Sequence, residues 1–361
     1  MAERSSDPRQ ELSLSLGSRR GELAEAITDR HYELQPELAL RYGPAGRAKC
    51  LQDADFHLSY LADAVSVDLP ALFADYVAWA KVMLAGRGIP SEDLARNLEV
   101  MREVLLRELP PDQGLVAVEH IEAGLRQIPE MAAEIPSQIR DDEPLAEMAR
   151  TYLQALLRGE RHVASRLVLE AVESGTSVRD VYLYVFQRAQ HEVGCLWQTN
   201  RLSVAQEHYC TAATQLIMSQ LYPYLFAGRR TGHTLVATCV AGDLHEIGVR
   251  MVSDFFEMDG WDTFYLGANT PTVSLLRTIE ERGADLLAVS ATMTFHLRAV
   301  KELISAVRGT PAGERLKILV GGYPFNLSPD LWRIVGADAW GRDALESVTV
   351  AGRLLHAEAQ G

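Results

Sequence analysis

The chain has 361 residues, of which 47% are hydrophobic, and a formal net charge of -14. This length is enough for about two or three domains with cores of their own. An acidic chain lacks the basic face that nucleic-acid binding needs, and no apolar run approaches the ~20 residues of a membrane span. The first residues, MAERSSDPRQ, have no apolar segment of a signal peptide, so we expect a cytoplasmic protein.

The cysteines form no metal-binding or catalytic motif. They are scattered along the chain, at Cys50, Cys195, Cys210 and Cys239. In a cytosolic protein we expect them to be reduced and buried. No residue pattern for hydrolysis or phosphoryl transfer is visible, so we do not expect an enzyme.

Residues 1–140 are predicted to form a helical domain, because their apolar residues recur at helical spacing. We expect the helices to break at segments that contain glycine or proline, namely 42–46, 68–70, 86–91 and 108–114. A polar, proline-bearing segment, 134–144, is predicted to be the linker to the next domain.

One helix of this domain, 46–65, carries Cys50, Asp53 and His57 on a common face. The string Arg-Ala-x-Cys-x-x-Asp resembles the bilin-attachment helix of phycobiliproteins, although Gln52 replaces their basic residue. The resemblance implies that Cys50 bonds a biliverdin-like chromophore and that Asp53 accepts hydrogen bonds from its pyrrole nitrogens. The alternatives are a plain amphipathic helix in a globin-like domain, or a haem site at His57 or His120.

Residues 141–230 are predicted to form a four-helix bundle. Apolar residues recur at helical spacing, and Gly159, Gly175 and the turn 199–201 separate four helical segments. Ser203 and Gln206 form the sequence of a capping box, which predicts the start of the fourth helix.

Residues 231–361 are predicted to form an α/β domain with a doubly wound, flavodoxin-like parallel sheet. The predicted strands are 233–240, 262–267, 285–291, 316–322 and, more weakly, 338–340. The predicted helices between them are 246–258, 272–282, 296–307, 328–335 and 343–357. Ligands of such sheets bind beyond the carboxyl ends of the strands.

The sequence GDLHEIG follows the first predicted strand and places Asp243 beside His245. A carboxylate that bonds one imidazole nitrogen fixes the tautomer and raises the basicity of the other nitrogen. Gly248 removes a side chain where a ligand would pass between strand and helix. Alone, such a pair is also compatible with a structural or catalytic histidine, and the spacing is not that of a phosphate-binding glycine loop.

Together with Ser-x-Thr after the third strand and Gly-Gly after the fourth, the motif Asp-x-His-x-x-Gly resembles the cobalamin-binding domain family over residues 233–355. In that family the histidine is the lower axial ligand of cobalt, and the dimethylbenzimidazole tail enters a slot in the α/β domain. The resemblance implies that His245 ligates cobalt and that Asp243 orients it. It also implies cofactor contacts from Leu244, Gly248, Ser290, Thr292, Gly321 and Gly322.

At one end of the predicted bundle lie Trp197, Glu207 and His208. By themselves they are compatible with a core aromatic residue and a solvated first helical turn. The spacing Trp-x9-Glu-His resembles CarH-type cobalamin photoreceptors, in which the tryptophan and glutamate contact the 5′-deoxyadenosyl group. Gln198 stands where those regulators have a second histidine.

The combination of a bilin-like helical domain with a CarH-like module resembles the photocobilins. It predicts a homo-oligomeric photoreceptor that uses adenosylcobalamin and biliverdin, with light cleaving the cobalt–carbon bond and changing the oligomer. The first alternative is a corrinoid protein that carries methyl groups between methyltransferases, and the second is a regulator that responds to cobalamin concentration. A methyl carrier must leave the upper face of the corrin ring, opposite the histidine, open to its partner enzymes. We expect Trp197, Glu207 and His208 to cover this face, so they favour the photoreceptor. No nucleic-acid or membrane partner is expected.

Overall fold

The computed structural model describes residues 7–129, 135–226 and 230–358. They separate into two compact units, and a short segment, 293–298, groups with the N-terminal residues. The second unit contains the remaining described residues from 135 onward. None of the helices in these ranges combines the length and the apolar character that a bilayer crossing requires.

The described N-terminal residues form helices, as the sequence predicts. These are α1 (Pro8–Ser18), α2 (Arg20–Leu34), α3 (Glu37–Ser66), α4 (Pro70–Ala85), α5 (Ser91–Glu108) and α6 (Pro111–Gln127). The predicted break at 42–46 is a kink within α3, where the backbone of Gly43 leaves the helical conformation. The globin-like or phycobiliprotein-like arrangement of these helices stays a prediction.

The second unit begins with the bundle, whose helices end at the predicted turns. They are α7 (Ala146–Leu157), α8 (Arg161–Glu173), α9 (Val178–Asp180), a π-helical segment (Val181–Phe186), α10 (Gln187–Gln198) and α11 (Val204–Gln220). The segments from Val178 to Gln198 run on from one another, so the bundle has four helical rods. The capping box of Ser203 and Gln206 is present at the start of α11.

The bundle is followed by a five-stranded parallel sheet with the strand order β2-β1-β3-β4-β5. The strands are β1 (Thr234–Cys239), β2 (Asp262–Gly267), β3 (Leu286–Ser290), β4 (Lys317–Gly321) and β5 (Ala339–Gly341). The helices are α12 (Ile247–Met258), α13 (Thr272–Arg282), α14 (Leu297–Arg308), α15 (Tyr323–Leu327), α16 (Leu331–Val335) and α17 (Ala344–Glu358). Each predicted strand is found, whereas α15 was not predicted.

Both faces of the central strands β1, β3 and β4 are buried, which is why these strands are continuous apolar runs, whereas the edge strand β2 is partly exposed. Leu235 and Ala237 of β1 share an apolar cluster with Phe256 of α12 and Ala351 of α17. Val236, between them in sequence, is equally buried and points to the opposite face, because side chains alternate along a strand.

The bundle and the sheet domain share one apolar core. Met251 and Phe255 of α12 belong to the same cluster as Tyr182 and Phe186 of the bundle. The rings of Tyr182 and Phe255 lie 6.2 Å apart. This shared core explains why the two domains predicted from the sequence fall into a single compact unit.

A half-buried acid lies beside that core. Asp254 of α12 accepts a hydrogen bond of 2.8 Å from the hydroxyl of Tyr182, and the Arg250 guanidinium lies 4.0 Å away. Burial raises the pKa of Asp254 to about 6, against the lowering effect of the Tyr182 hydrogen bond and the Arg250 charge. Compared with the unfolded chain, the folded unit therefore favours the protonated form of the Asp254 carboxyl.

We expect Asp254→Asn to remove a pH dependence of stability. The folded-state pKa of Asp254 is raised, so its contribution to stability is complete below about pH 4 and is lost as the pH rises through about 6. Urea unfolding of both proteins across that range should show the variant gaining stability over the wild type as the pH rises. Parallel stability profiles would contradict the assignment.

Candidate functional site

The loop that carries the histidine lies at the point where the sheet reverses its strand order. The loop follows β1, whose neighbours in the sheet are β2 and β3. In doubly wound sheets the connections from such neighbouring strands run to opposite faces, which opens a crevice beyond their carboxyl ends. The fold therefore places Asp243 and His245 in the crevice where ligands bind.

Asp243 holds this loop in place through hydrogen bonds. Its side chain is fully buried, and its Oδ1 atom accepts hydrogen bonds from Nδ1 and the backbone N–H of His245, at 2.7 Å and 3.0 Å. Its Oδ2 atom accepts a 2.6 Å hydrogen bond from the backbone N–H of Thr292, beyond β3. One carboxylate thus ties the loop after β1 to the loop after β3.

The imidazole of His245 is oriented by this carboxylate and open to solvent. Because Nδ1 donates to Asp243, Nε2 is the nitrogen available to a metal. The side chain is 59% exposed. The hydrogen bond to Asp243 raises the pKa of His245 above its ordinary value, as do the charges of Asp243 and Glu207, while burial opposes them.

The strand ends beside this loop are shaped by close backbone contacts. Gly322 has φ +103°, and a Cβ atom there would lie 2.0 Å from the backbone oxygen of Ala291. At Gly321, a Cβ atom would lie 3.2 Å from the backbone oxygen of Gly341. Only glycine fits at position 322, because its backbone conformation and the lack of space both exclude a side chain.

The other predicted contacts lie at or beside the ends of β1 and β3 and at the start of α12. Ser290 ends β3, and its backbone oxygen accepts from the N–H of Val240 after β1. Leu244 is 72% exposed between Asp243 and His245. A Cβ atom on Gly248 would meet nothing within 4 Å, so space is open beside the first turn of α12.

The bundle residues of the predicted upper face divide into two groups. Trp197 packs against the apolar core of the bundle, and Gln198 is buried. Glu207, in the first turn of α11, accepts from Thr211 Oγ1 at 2.9 Å and lies 2.5 Å from Nδ1 of His208, which is largely exposed. Since the charge of Glu207 acts on His245, this end of α11 lies near the histidine loop.

The residues of the predicted bilin helix are engaged in helix packing. Cys50 is half-buried, and its Sγ atom lies 3.7 Å from Nδ1 of His31. Burial raises the pKa of the half-buried Asp53 to about 6. His57 is buried, and its Nδ1 atom lies 2.7 Å from the hydroxyl of Tyr76.

The haem alternative involves a second buried histidine of this unit. The Nδ1 atom of His120 lies 3.0 Å from the backbone oxygen of Val116, within the same helix. Biliverdin and haem binding at these histidines and at Asp53 stay predictions. The cysteines are free, as expected, but Cys50 and Cys195 are half-buried rather than buried.

The histidine loop fits a metal that brings most of its own ligands. In the described ranges, no group of three or more histidine, cysteine or acidic side chains is placed to hold a bare metal ion. A single carboxylate-oriented imidazole beside an open crevice instead suits a cobalt atom already held by a corrin ring. The end of β4 carries no side chain at Gly321 and Gly322, which suits an inserted cofactor tail.

The B12 binding domain family matches residues 233–349, and a second B12 binding domain family matches residues 148–222. The first match covers the sheet domain with the histidine loop, and the second covers most of the bundle. The chain therefore contains a cobalamin-binding module made of these two parts.

The relatives are corrinoid proteins. A corrinoid protein of Desulfitobacterium hafniense is 25% identical over 208 residues, which are 56% of this chain and 94% of that protein. The dimethylamine corrinoid protein of Methanosarcina barkeri is 28% identical over 171 residues, 46% of this chain and 78% of that protein. The solved monomethylamine corrinoid protein of Methanosarcina barkeri has the same fold, with a TM-score of 0.53 and 22% identity over 58% of this chain and 99% of that one.

These findings correct the photoreceptor hypothesis. The prediction of light-driven cleavage of adenosylcobalamin with a change of oligomer is wrong, because the relatives are methylamine corrinoid proteins and they match the methyl-carrier alternative. The spacing of Trp197, Glu207 and His208 did not distinguish the two functions. Trp197 is half-buried and packs against the bundle core, and its contact with a cofactor stays a prediction.

The sequence also did not predict the contacts by which the residue after His245 and the first turn of α12 bind α11. Glu246 and Arg250 contact Gln215 and Ser219 of α11. Glu246 stands within the motif that drew attention to His245, but nothing in its neighbourhood along the chain indicates a partner 31 residues away.

Proposed function

We propose that this chain is a corrinoid protein that carries a methyl group between methyltransferases. The observation that carries the proposal is the Asp243–His245 pair, held at the switch point of the sheet by the bond from Thr292 to Asp243. The relatives are corrinoid proteins, and 94% of the length of one of them is matched.

In this function the bound corrinoid supplies a cobalt atom that accepts a methyl group and gives it up again. His245 would hold the cobalt through Nε2, because its Nδ1 atom is committed to Asp243. Asp243 keeps the imidazole in this orientation through two bonds to His245 and one to Thr292. The strand ends at Gly321 and Gly322 would receive the tail of the cofactor.

We infer methylated amines as the class of methyl donor, and methyltransferases as the partners. Support comes from relatives named dimethylamine corrinoid proteins, which match at 27–28% identity. The proposed cofactor is accordingly a corrinoid in its methyl form, and the proposal requires neither an adenosyl group nor biliverdin.

The test is methyl transfer in the dark by the full chain reconstituted with cobalamin. The reduced protein should take a methyl group from methyl iodide, and the methylated protein should pass it to a thiolate such as homocysteine when a corrinoid methyltransferase is added. Absorption spectra follow both half-reactions. We expect transfer faster than from the same concentration of free methylcobalamin.

Two controls make the result decisive. His245→Ala should abolish the advantage over free methylcobalamin, whereas His162→Ala, which changes an exposed histidine of α8, should keep it. A protein that binds cobalamin through His245 but never exceeds the rate of the free cofactor would refute the methyl-carrier function.

A further inference from the structure

The carboxylate that follows the axial histidine joins three segments of the second unit. Glu246 lies at the N-cap of α12, directly after His245. Its Oε1 atom accepts a 2.7 Å hydrogen bond from the side-chain amide of Gln215 on α11. Its Oε2 atom accepts a 3.1 Å hydrogen bond from the backbone N–H of Ala268, just beyond β2.

The loop beyond β2 is built to approach this carboxylate closely. Gly267 has φ +73°, and a Cβ atom there would lie 3.0 Å from Oε2 of Glu246. A side chain at this position would be strained and would press on the carboxylate. The approach of the backbone therefore depends on glycine, and it gives Glu246 a fixed partner on the sheet.

One turn further along α12, a second contact repeats the attachment to α11. Arg250 donates to the backbone oxygen of Gln215 at 3.1 Å and to Oγ of Ser219 at 2.8 Å. Residues four apart lie on the same face of a helix, so two successive turns of α12 hold two successive turns of α11. We call these contacts of Glu246 and Arg250 with Gln215 and Ser219 the α11–α12 clasp.

The N-terminal end of α11 lies near the axial histidine. Gln215 and Ser219 are four residues apart and share a face, and Glu207 lies about two turns before Gln215 in the same helix. Glu207, at the N-terminal end of α11, contributes to the raised pKa of His245. A slip of α11 by one turn, about 5.4 Å, would move Glu207 away from the histidine.

The clasp differs from the rest of the α12 surface. Further along the helix, Met251 and Phe255 pack into the apolar core that the bundle and α12 share. Apolar contacts are non-directional and tolerate small slips, whereas a carboxylate that accepts from two fixed donors specifies one position. The directional contact, made by Glu246, lies at the end of α12 next to the loop that carries His245.

We propose that Glu246 is a positioning residue that sets the register of the bundle helix α11 against the loop carrying His245. The proposal rests on the proposed function, because it assigns Glu246 the alignment of the two sides of the corrinoid site. Glu246 takes no part in the chemistry and acts through Gln215 and the backbone of Ala268.

The experiment interchanges the side chains of Glu246 and Gln215 in the full chain, first one at a time and then together. In Glu246→Gln the amide has a single acceptor oxygen for two donors, so one of the two hydrogen bonds is lost. In Gln215→Glu two carboxylates face each other and repel. In the double variant, the new amide at position 246 would donate to the new carboxylate at position 215 and still accept from the backbone N–H of Ala268, so the arrangement is restored. Glu280→Gln, an exposed change on α13, is the matched control.

Amide hydrogen exchange of the cobalamin-free protein is the first measurement. In each single variant we expect exchange in α11 and at Ala268 to become about tenfold faster, since the lost bonds hold these segments closed. Exchange in α7 (Ala146–Leu157) serves as the internal reference and should not change. The double variant should return to within about threefold of the wild type, as coupled partners require.

Cobalamin binding is the second measurement. We expect each single variant to bind cobalamin about tenfold more weakly while histidine ligation of the cobalt is retained in the spectrum, because His245 and Asp243 are untouched. The double variant should restore the affinity for cobalamin.

Two results would overturn the proposal. One is unchanged exchange in α11 in Glu246→Gln, and the other is a double variant no better than the singles. If Glu246→Gln does not fold, Gln215→Ala removes one donor only, and unchanged exchange in that variant would overturn the proposal equally. Failure of methyl transfer with the predicted exchange pattern would refute the proposed function alone.

Discussion

Replacement of His245 by alanine is expected to weaken cobalamin binding by more than about 100-fold, because removal of the carboxylate partner of such a ligand already costs about 10- to 100-fold. The protein should remain folded, since the His245 side chain is 59% exposed and the substitution leaves the bond between Asp243 and Thr292 in place. Titration followed by visible absorption gives the affinity, and urea unfolding checks the fold.

A direct test of the ligand uses wild-type protein labelled with heavy nitrogen in its histidines. The EPR signal of the bound cob(II)alamin should then change its splitting from a triplet to a doublet, because the coordinated nitrogen has changed its nuclear spin. Asp243→Asn should retain that change with an intermediate loss of affinity of about 10- to 100-fold. A triplet that persists after labelling would show that the dimethylbenzimidazole, and not His245, holds the cobalt.

Replacement of Gly322 by alanine should have the largest effect on stability, a loss of at least about 3 kcal/mol. The added Cβ atom would lie 2.0 Å from the backbone oxygen of Ala291, and alanine at φ +103° is strained in any surroundings. Relief requires that the ends of β3 and β4 move apart. Urea unfolding of the cobalamin-free protein measures the loss.

Gly248→Ala is the matched control for this prediction. A Cβ atom there meets nothing within 4 Å, and alanine favours a helix over glycine by about 0.5–1 kcal/mol. We therefore expect unchanged or slightly higher stability in Gly248→Ala. If its cobalamin affinity nevertheless falls, the space beside the first turn of α12 is used by the cofactor. Equal stabilities of the Gly322 and Gly248 variants would contradict the argument from close contact.

For the residues at the end of the bundle, spacing along the sequence was not sufficient to predict what each side chain does. Trp197, Glu207 and His208 do lie at one end of the bundle, as their positions beside the turn at 199–201 predict. Their roles could not be predicted from spacing. How much of Trp197 faces the core depends on how α10 is rotated in the bundle, and part of this half-buried side chain packs against the core. Similarity to dimethylamine corrinoid proteins favours the methyl-carrier alternative.

Most of the elements and the histidine loop were predictable from the sequence alone, although α15 was not. The central strands were predictable because both of their faces are buried, and the helical turns because glycine and capping residues mark them. The pairing of Asp243 with His245 is local, two residues apart, and could be anticipated from the motif.

Tertiary structure alone decided which distant groups complete the site. Asp243 meets the backbone of Thr292 across 49 residues, and Glu246 meets Gln215 across 31. Periodicity records whether a residue is buried, but it does not record which other segment covers it. The covering segment is set by the strand order β2-β1-β3, which brings the loops after these strands together. It is also set by the shared apolar core, through which the bundle packs against α12.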